Sequence, residues 1–76
     1  MTNILIEAYV IKNTAPTGGY LPMYSVNKHA HGSTYAYTSY TKTDALAMAL
    51  QMADKEANRY IGDWNVTVIS KLEESE

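Results

Sequence analysis

The sequence predicts an α+β fold: a small, mainly antiparallel sheet with one helix packed on one face, in the order β-β-β-α-β. Two observations predict it. Apolar residues alternate with period two in several short segments, and they recur at three- and four-residue spacing in only one. A chain of 76 residues without cysteine fits a single compact domain over residues 1–76. This length is near the lower limit at which one hydrophobic core sustains a fold without disulfide bonds.

The first strand is predicted over residues 3–12. One face carries Ile4, Ile6, Ala8 and Val10, and the other carries Leu5, Glu7, Tyr9 and Ile11. Because both faces are largely apolar, we expect an interior strand, with the Ile4 face turned toward the helix.

The next segment predicts a loop followed by two strands. Prolines and glycines interrupt residues 13–22, which we expect to be irregular. A second strand is then predicted over residues 23–29 and a third over residues 33–40. Ala30 to Gly32 would form the tight connection, because glycine readily adopts a positive φ.

The period changes at Thr41, where a helix is predicted to begin. Thr41 or Thr43 can cap its first amides, and Asp44 suits its positive end. The apolar stripe consists of Leu46, Ala49, Leu50, Ala53, Ala57, Tyr60 and Ile61. Gly62 would follow the helix as its C′ residue, and renewed alternation over residues 63–71 predicts the last strand.

A single helix leaves one sheet face uncovered, and we expect tyrosines there. Tyr9 belongs to that face, and a neighbouring strand could add Tyr35 and Tyr37. Tyrosine combines a large apolar ring with a hydroxyl that tolerates water, so it suits a binding surface. These rings would serve equally well as stabilising cross-strand pairs. The register is also open, because Tyr40 has the opposite parity.

One flank of the predicted helix offers a second candidate surface. It carries Met48, Met52, Lys55 and Arg59, two adaptable thioethers beside two cations. These residues could contact a partner, or the methionines could fill gaps at the sheet edge. Together with Tyr9, Tyr35 and Tyr37, they are the candidate binding residues.

No pattern in the sequence predicts catalysis, so we expect no enzyme and no cofactor. His29 and His31 form an H-x-H pair, but zinc takes three or four protein ligands and no cysteine or nearby carboxylate completes the set. The sequence contains neither the G-x-S-x-G motif of a serine nucleophile nor the phosphate-binding motif G-x-x-x-x-G-K. A net charge of −2 argues against direct binding to a nucleic-acid duplex, which depends on positive charge that contacts the phosphates.

The run DALAMALQMADKEANRYIGDWNVTVIS, residues 44–70, is an alanine- and methionine-rich helix leading into a strand. In its composition and its helix-to-strand order it resembles small phage-encoded anti-defence proteins, including anti-CRISPR inhibitors of type I systems. The resemblance covers about the C-terminal third of the chain and rests on no specific motif. It implies a protein that inhibits host machinery by stoichiometric binding, and it assigns no binding residue.

These observations predict a non-enzymatic binding protein, most specifically an inhibitor that blocks the surface of a host defence protein or complex. The alternative is a homo-oligomeric sponge that sequesters a nucleotide signal by tyrosine stacking, with Lys28, Lys42 or Arg59 meeting phosphate. We further expect a homodimer formed through the uncovered sheet face or the sheet edge. The absence of cysteine and of a membrane-spanning run predicts a cytoplasmic protein, with residues 72–76 as a frayed acidic tail.

Overall fold

A computed structural model describes residues 2–14, 18–32, 38, 40–60, 62 and 64–71. The described residues form four strands and one helix: β1 (Thr2–Lys12), β2 (Tyr20–Val26), β3 (His29–Gly32), α1 (Lys42–Ala57) and β4 (Trp64–Ser70). The strands form one sheet in the order β3-β2-β1-β4. The predicted α+β class and the β-β-β-α-β order are therefore confirmed. Among the described residues, no helix has the length and apolar character needed to cross a membrane.

Strand β1 lies in the interior of the sheet, as its two apolar faces predicted. It pairs antiparallel with β2 and parallel with β4, and β2 pairs antiparallel with β3. The sheet is thus mixed, with one parallel pair at the β4 side. Helix α1 connects β3 to β4 and packs mainly on β1 and β2.

The core lies between α1 and the predicted face of β1. Ile4, Ile6 and Ala8 are buried there against Ala49 and Ala53. Small residues on the helix allow its backbone to approach the sheet closely, so the isoleucines of β1 fill most of the space between the layers. The buried positions of α1 are Ala45, Ala49 and Ala53, so Ala45 is a buried residue of the helix in addition to those of the predicted stripe.

The connection between β2 and β3 differs from the prediction. The chain turns at Asn27 and Lys28, which have φ angles of 51° and 74°. Two consecutive positive φ angles are typical of the type I′ turn that joins two-residue hairpins. The expected turn at Ala30 to Gly32 is wrong, because these residues are part of β3. The predicted third strand over residues 33–40 falls largely outside the described residues, although Tyr40 forms an isolated antiparallel bridge with Tyr20.

Strand β2 begins earlier than predicted and includes Pro22. The neighbouring bonds explain how the strand tolerates a proline. Asn13 N donates to Gly19 O, and Asn27 N donates to Leu5 O. Bonds in an antiparallel ladder alternate, so the odd-numbered residues of β2 bond to β1. Pro22 therefore loses no hydrogen bond to β1.

The helix begins where the sequence predicted and ends before the predicted C-terminus. Thr41 is the N-cap, and its Oγ1 accepts a hydrogen bond of 3.1 Å from Asp44 N. The helix ends at Ala57 with Asn58 as its C-cap. Asn58 N bonds to Asp54 O, so the last turn closes without a glycine. The assignment of Gly62 as the C′ residue is therefore wrong, although Gly62 does have a positive φ of 85°.

The face of the sheet away from the helix, which we call the open face, is less exposed than expected. Leu5, Tyr9 and Ile11 are half-buried on it. Their partners on β2 in this part of the sheet include Leu21 and Met23, which are buried. Leu21 lies in the segment for which the sequence predicts a loop, so its contribution to this face is not apparent from the sequence pattern.

Candidate functional site

A shallow groove of about 320 Å³ lies between the C-terminal half of α1 and β2. It is lined by Tyr24, Met52, Lys55, Glu56 and Arg59. Met52, Lys55 and Glu56 share one side of α1 through their i, i+3, i+4 spacing, and Arg59 lies in the turn that follows the helix. Tyr24 comes from β2, on the sheet face that packs against the helix.

Glu56 is the centre of the polar contacts in this groove. Its side chain is only 11% exposed. Its Oε1 accepts hydrogen bonds of 3.4 Å from both Tyr24 Oη and Arg59 Nη1, and its Oε2 accepts one of 2.9 Å from Tyr60 Oη. A largely buried carboxylate needs such partners. Glu56 therefore ties the helix to β2 and to the segment that follows the helix.

The contacts of Glu56 join two aromatic pairs. The Tyr24 ring stacks on the His31 ring with centroids 5.1 Å apart and an interplanar angle of 11°. The Tyr60 ring lies against Trp64, with centroids 5.5 Å apart and a tilt of 60°. We call His31, Tyr24, Tyr60 and Trp64 the aromatic row. It reaches from β3 to β4 and provides a partly exposed aromatic surface.

The environment of Glu56 also affects the two phenols. Burial raises the pKa of Tyr24, and the charge of Glu56 and the hydrogen bond to it raise that pKa further. For Tyr60 the hydrogen bond to Glu56 is the main cause of a raised pKa. Both phenols therefore stay protonated, and donate to the carboxylate, through the physiological pH range.

The two cations of the groove differ from Glu56 in their exposure. Arg59 has a side chain that is 75% exposed, and Lys55 is also exposed. Arg59 uses one nitrogen to contact Glu56, while a guanidinium carries five N–H donors in a planar fork. The groove therefore presents positive charge at its rim and a carboxylate bound to phenols at its base. This arrangement suits a planar or acidic group of a partner.

The structure brings together three of the predicted binding residues: Met52, Lys55 and Arg59. Met48 is half-buried one turn earlier on the helix. Tyr9 lies on the open face, which is the opposite side of the sheet from the groove. Tyr35 and Tyr37 lie outside the described residues. The predicted tyrosine surface and the predicted helix flank are therefore separate surfaces.

The other cations considered for phosphate binding also lie elsewhere. Lys28 Nζ is 3.4 Å from Glu7 Oε1 on the open face. Lys42 Nζ lies 5.8 Å from the centroid of the Tyr20 ring, near the start of the helix. Of these candidates, only Arg59 lines the groove.

Glu56 and Tyr24 line the groove but are not among the binding residues predicted from the sequence. Glu56 follows Met52 by four residues, so helical spacing places it on the predicted flank, and this spacing is the signal that could have identified it. Tyr24 has the parity of Val26, which packs against the core, and this parity would have turned it toward the helix. Within the described part of the chain, His29, His31 and the carboxylates form no cluster of three metal ligands.

Searches against protein-family models, curated proteins and solved structures find no match to this chain.

Proposed function

We propose that this is a non-enzymatic binding protein that occupies the surface of a partner protein through the groove and the aromatic row. The observation that supports the proposal is the combination of an exposed Arg59 with a Trp64 that is 43% exposed. Both are linked to Glu56, Arg59 directly and Trp64 through Tyr60. Arginine, tryptophan and tyrosine are the residue types that dominate protein–protein binding energy.

Preorganisation gives these side chains a further advantage as a binding surface. The bonds to Glu56 hold Tyr24 and Tyr60 in place, and stacking orients His31. Side chains that are already ordered lose less conformational entropy when a partner binds. The groove therefore supports stoichiometric binding.

The resemblance of residues 44–70 to phage anti-defence proteins directs this proposal to a host defence protein or complex as the partner. Most of the groove and two members of the aromatic row fall within that run. Inhibition would follow from blocking the partner's surface. The proposal includes no chemical step, because the groove pairs its carboxylate with phenols and a guanidinium and offers no activated nucleophile.

Affinity capture with matched variants tests the proposal. We expect the wild-type protein to retain one host protein or complex in stoichiometric amount from a bacterial lysate. Arg59→Ala should lose it, because the substitution removes one of the two exposed cations of the groove and the guanidinium that contacts Glu56. Lys42→Ala removes a cation from the first residue of α1, at the end of the helix away from the groove, and should retain the partner. Recovery of no stoichiometric protein, or equal recovery with both variants, would contradict the proposal.

A nucleotide-binding sponge is the second candidate. The specific observation in its favour is that the Tyr24–His31 stack lies beside a groove with Lys55 and Arg59 at its rim. A base could stack on these rings while the cations meet phosphate, with about 1–3 kcal/mol per stacked base. Calorimetry against cyclic and linear nucleotides separates the two functions. Heat of binding that Tyr24→Leu abolishes would favour the sponge, and silence across the series would exclude it.

A further inference from the structure

Strand β4 has an unpaired outer edge among the described residues. It is the last strand in the sheet order and pairs only with β1. Its sequence, WNVTVIS, contains no charge, proline or glycine. Natural proteins usually protect an edge strand with charges, proline or short length. The opposite edge follows that rule, because β3 has only four residues.

The hydrogen bonds of β4 define which of its groups point outward. Lys71 N donates to Ala8 O at 2.7 Å. In a parallel pair, alternate residues bond to the neighbouring strand, so Asn65, Thr67 and Ile69 bond to β1. The N–H and C=O groups that point away from β1 therefore belong to the even-numbered residues of β4, which are Trp64, Val66, Val68 and Ser70.

We infer that this edge pairs with a second copy of the same chain, as antiparallel β4 strands related by a twofold axis at Thr67. A twofold axis places Trp64 opposite Ser70 of the second copy and Val66 opposite Val68. These pairs join even-numbered residues, so the outward groups face each other in about eight hydrogen bonds. An axis at Thr67 is also the one that pairs all seven residues of β4.

The side chains of β4 suit this register. Thr67 would meet its own copy, and Val66 would meet Val68, which are favourable cross-strand pairs. No two like charges oppose each other, because β4 has no charged residue. Trp64 and Ile69 are 43% and 41% exposed, and pairing would cover part of both. A partner protein with an extended segment could use the same edge, but self-complementarity favours the second copy.

The inference does not depend on the residues that line the groove, and it shares only Trp64 with the aromatic row. Groove variants such as Arg59→Ala leave the β4 edge unchanged, and substitutions at Thr67 leave the groove unchanged. Loss of the host partner with retained self-association, or the reverse, would therefore separate failure of the proposed function from failure of this inference.

Disulfide trapping tests both the partner and the register, because the chain contains no cysteine. At the axis the two Thr67 Cα atoms would be about 4.5 Å apart, the spacing of a non-hydrogen-bonded pair, which lies within disulfide range. The two Asn65 Cα atoms would be about 13 Å apart along the strands. Under mild oxidation, Thr67→Cys should therefore give a covalent dimer at least tenfold faster than Asn65→Cys. Equal rates for the two variants would overturn the inference.

Two measurements on chains without cysteine complete the test. The wild type should self-associate at high micromolar concentration in sedimentation equilibrium. Thr67→Lys should weaken this association by about fivefold, since it opposes two like charges, and Thr67→Val should preserve it. Amide exchange at Val66 and Val68 should slow as concentration rises, because their N–H groups point outward. A monomeric wild type, or amide exchange at Val66 and Val68 that does not depend on concentration, would overturn the inference. A monomer whose β4 edge pairs only with a strand of another protein would also overturn it.

Discussion

Lys28→Gly is a substitution whose effect on stability depends on two opposing contributions. Lys28 has a φ of 74° in the turn between β2 and β3. A left-handed conformation costs an L-residue about 1–2 kcal/mol, and the greater freedom of glycine in the unfolded chain offsets about 0.5–1 kcal/mol of the gain. Relief of the turn alone should therefore stabilise the fold by about 0.5–1 kcal/mol.

The opposing contribution is the ion pair with Glu7. Lys28 Nζ lies 3.4 Å from Glu7 Oε1, with side chains that are 71% and 7% exposed respectively. Water around the lysine screens the attraction, so we expect the pair to contribute about 0.5–1 kcal/mol. Glu7 also keeps the hydrogen bond from Ser25 Oγ. In the wild-type background the two contributions nearly cancel, and Lys28→Gly should change the free energy of unfolding by less than about 0.5 kcal/mol.

A double-mutant cycle exposes the hidden contribution. In the Glu7→Gln background the ion pair is absent, so Lys28→Gly should stabilise the protein by the full 0.5–1 kcal/mol or so. Urea denaturation of the four proteins measures this difference. Lys28→Ala is the control, because it removes the ion pair but keeps a Cβ in the left-handed region, and it should destabilise the wild type. If Lys28→Gly has the same effect in both backgrounds, the reasoning is wrong.

Two further predictions concern a backbone position and the groove. Gly32→Ala should destabilise the fold by about 1–3 kcal/mol, because Gly32 has a φ of 125° and an added Cβ would lie 2.5 Å from Met23 Sδ. Thermal unfolding measures this loss, and an unchanged midpoint would contradict it. Glu56→Gln should reduce the loss of stability above pH 10, near the ordinary tyrosine pKa of 10.0. The raised pKa values of Tyr24 and Tyr60 mean that the folded state holds these protons more tightly. The contribution of these two phenols to the free energy of unfolding is therefore fully present below pH 10, and it is lost as pH rises through their raised pKa values. Denaturation at neutral and alkaline pH compares the two proteins, and parallel losses would refute the role of Glu56.

Sequence patterns predicted most of the fold because local signals agreed with the final packing. Thr41 was identified as a possible cap from its side chain and position, and β1 as interior from its two apolar faces. The turn at Asn27 and Lys28 was missed because neither residue is a glycine. The parallel pairing of β1 with β4 has no local signal, since it depends on how the helix crosses the sheet.

The candidate site was predictable to a smaller extent. Helical spacing placed Met52, Lys55 and Arg59 on one flank, and the structure brings them together. Helical spacing alone does not show that Glu56 is buried beneath the cations, because the burial of a charged residue depends on partners distant in the chain. Tyr24 is such a partner, 32 residues away.

The parallel pairing of β1 and β4 has a consequence for the order of folding. Asn65 Nδ2 donates to Asn3 Oδ1 at 2.9 Å across a separation of 62 residues. Closing a loop of that length costs about 4 kcal/mol in chain entropy, whereas β1 and β2 meet after a short connection. The β1–β2–β3 meander can therefore assemble while one edge of β1 is still open. Contacts this distant in sequence slow folding, so the rate at which the native state forms should depend on the docking of α1 and β4 onto that open edge.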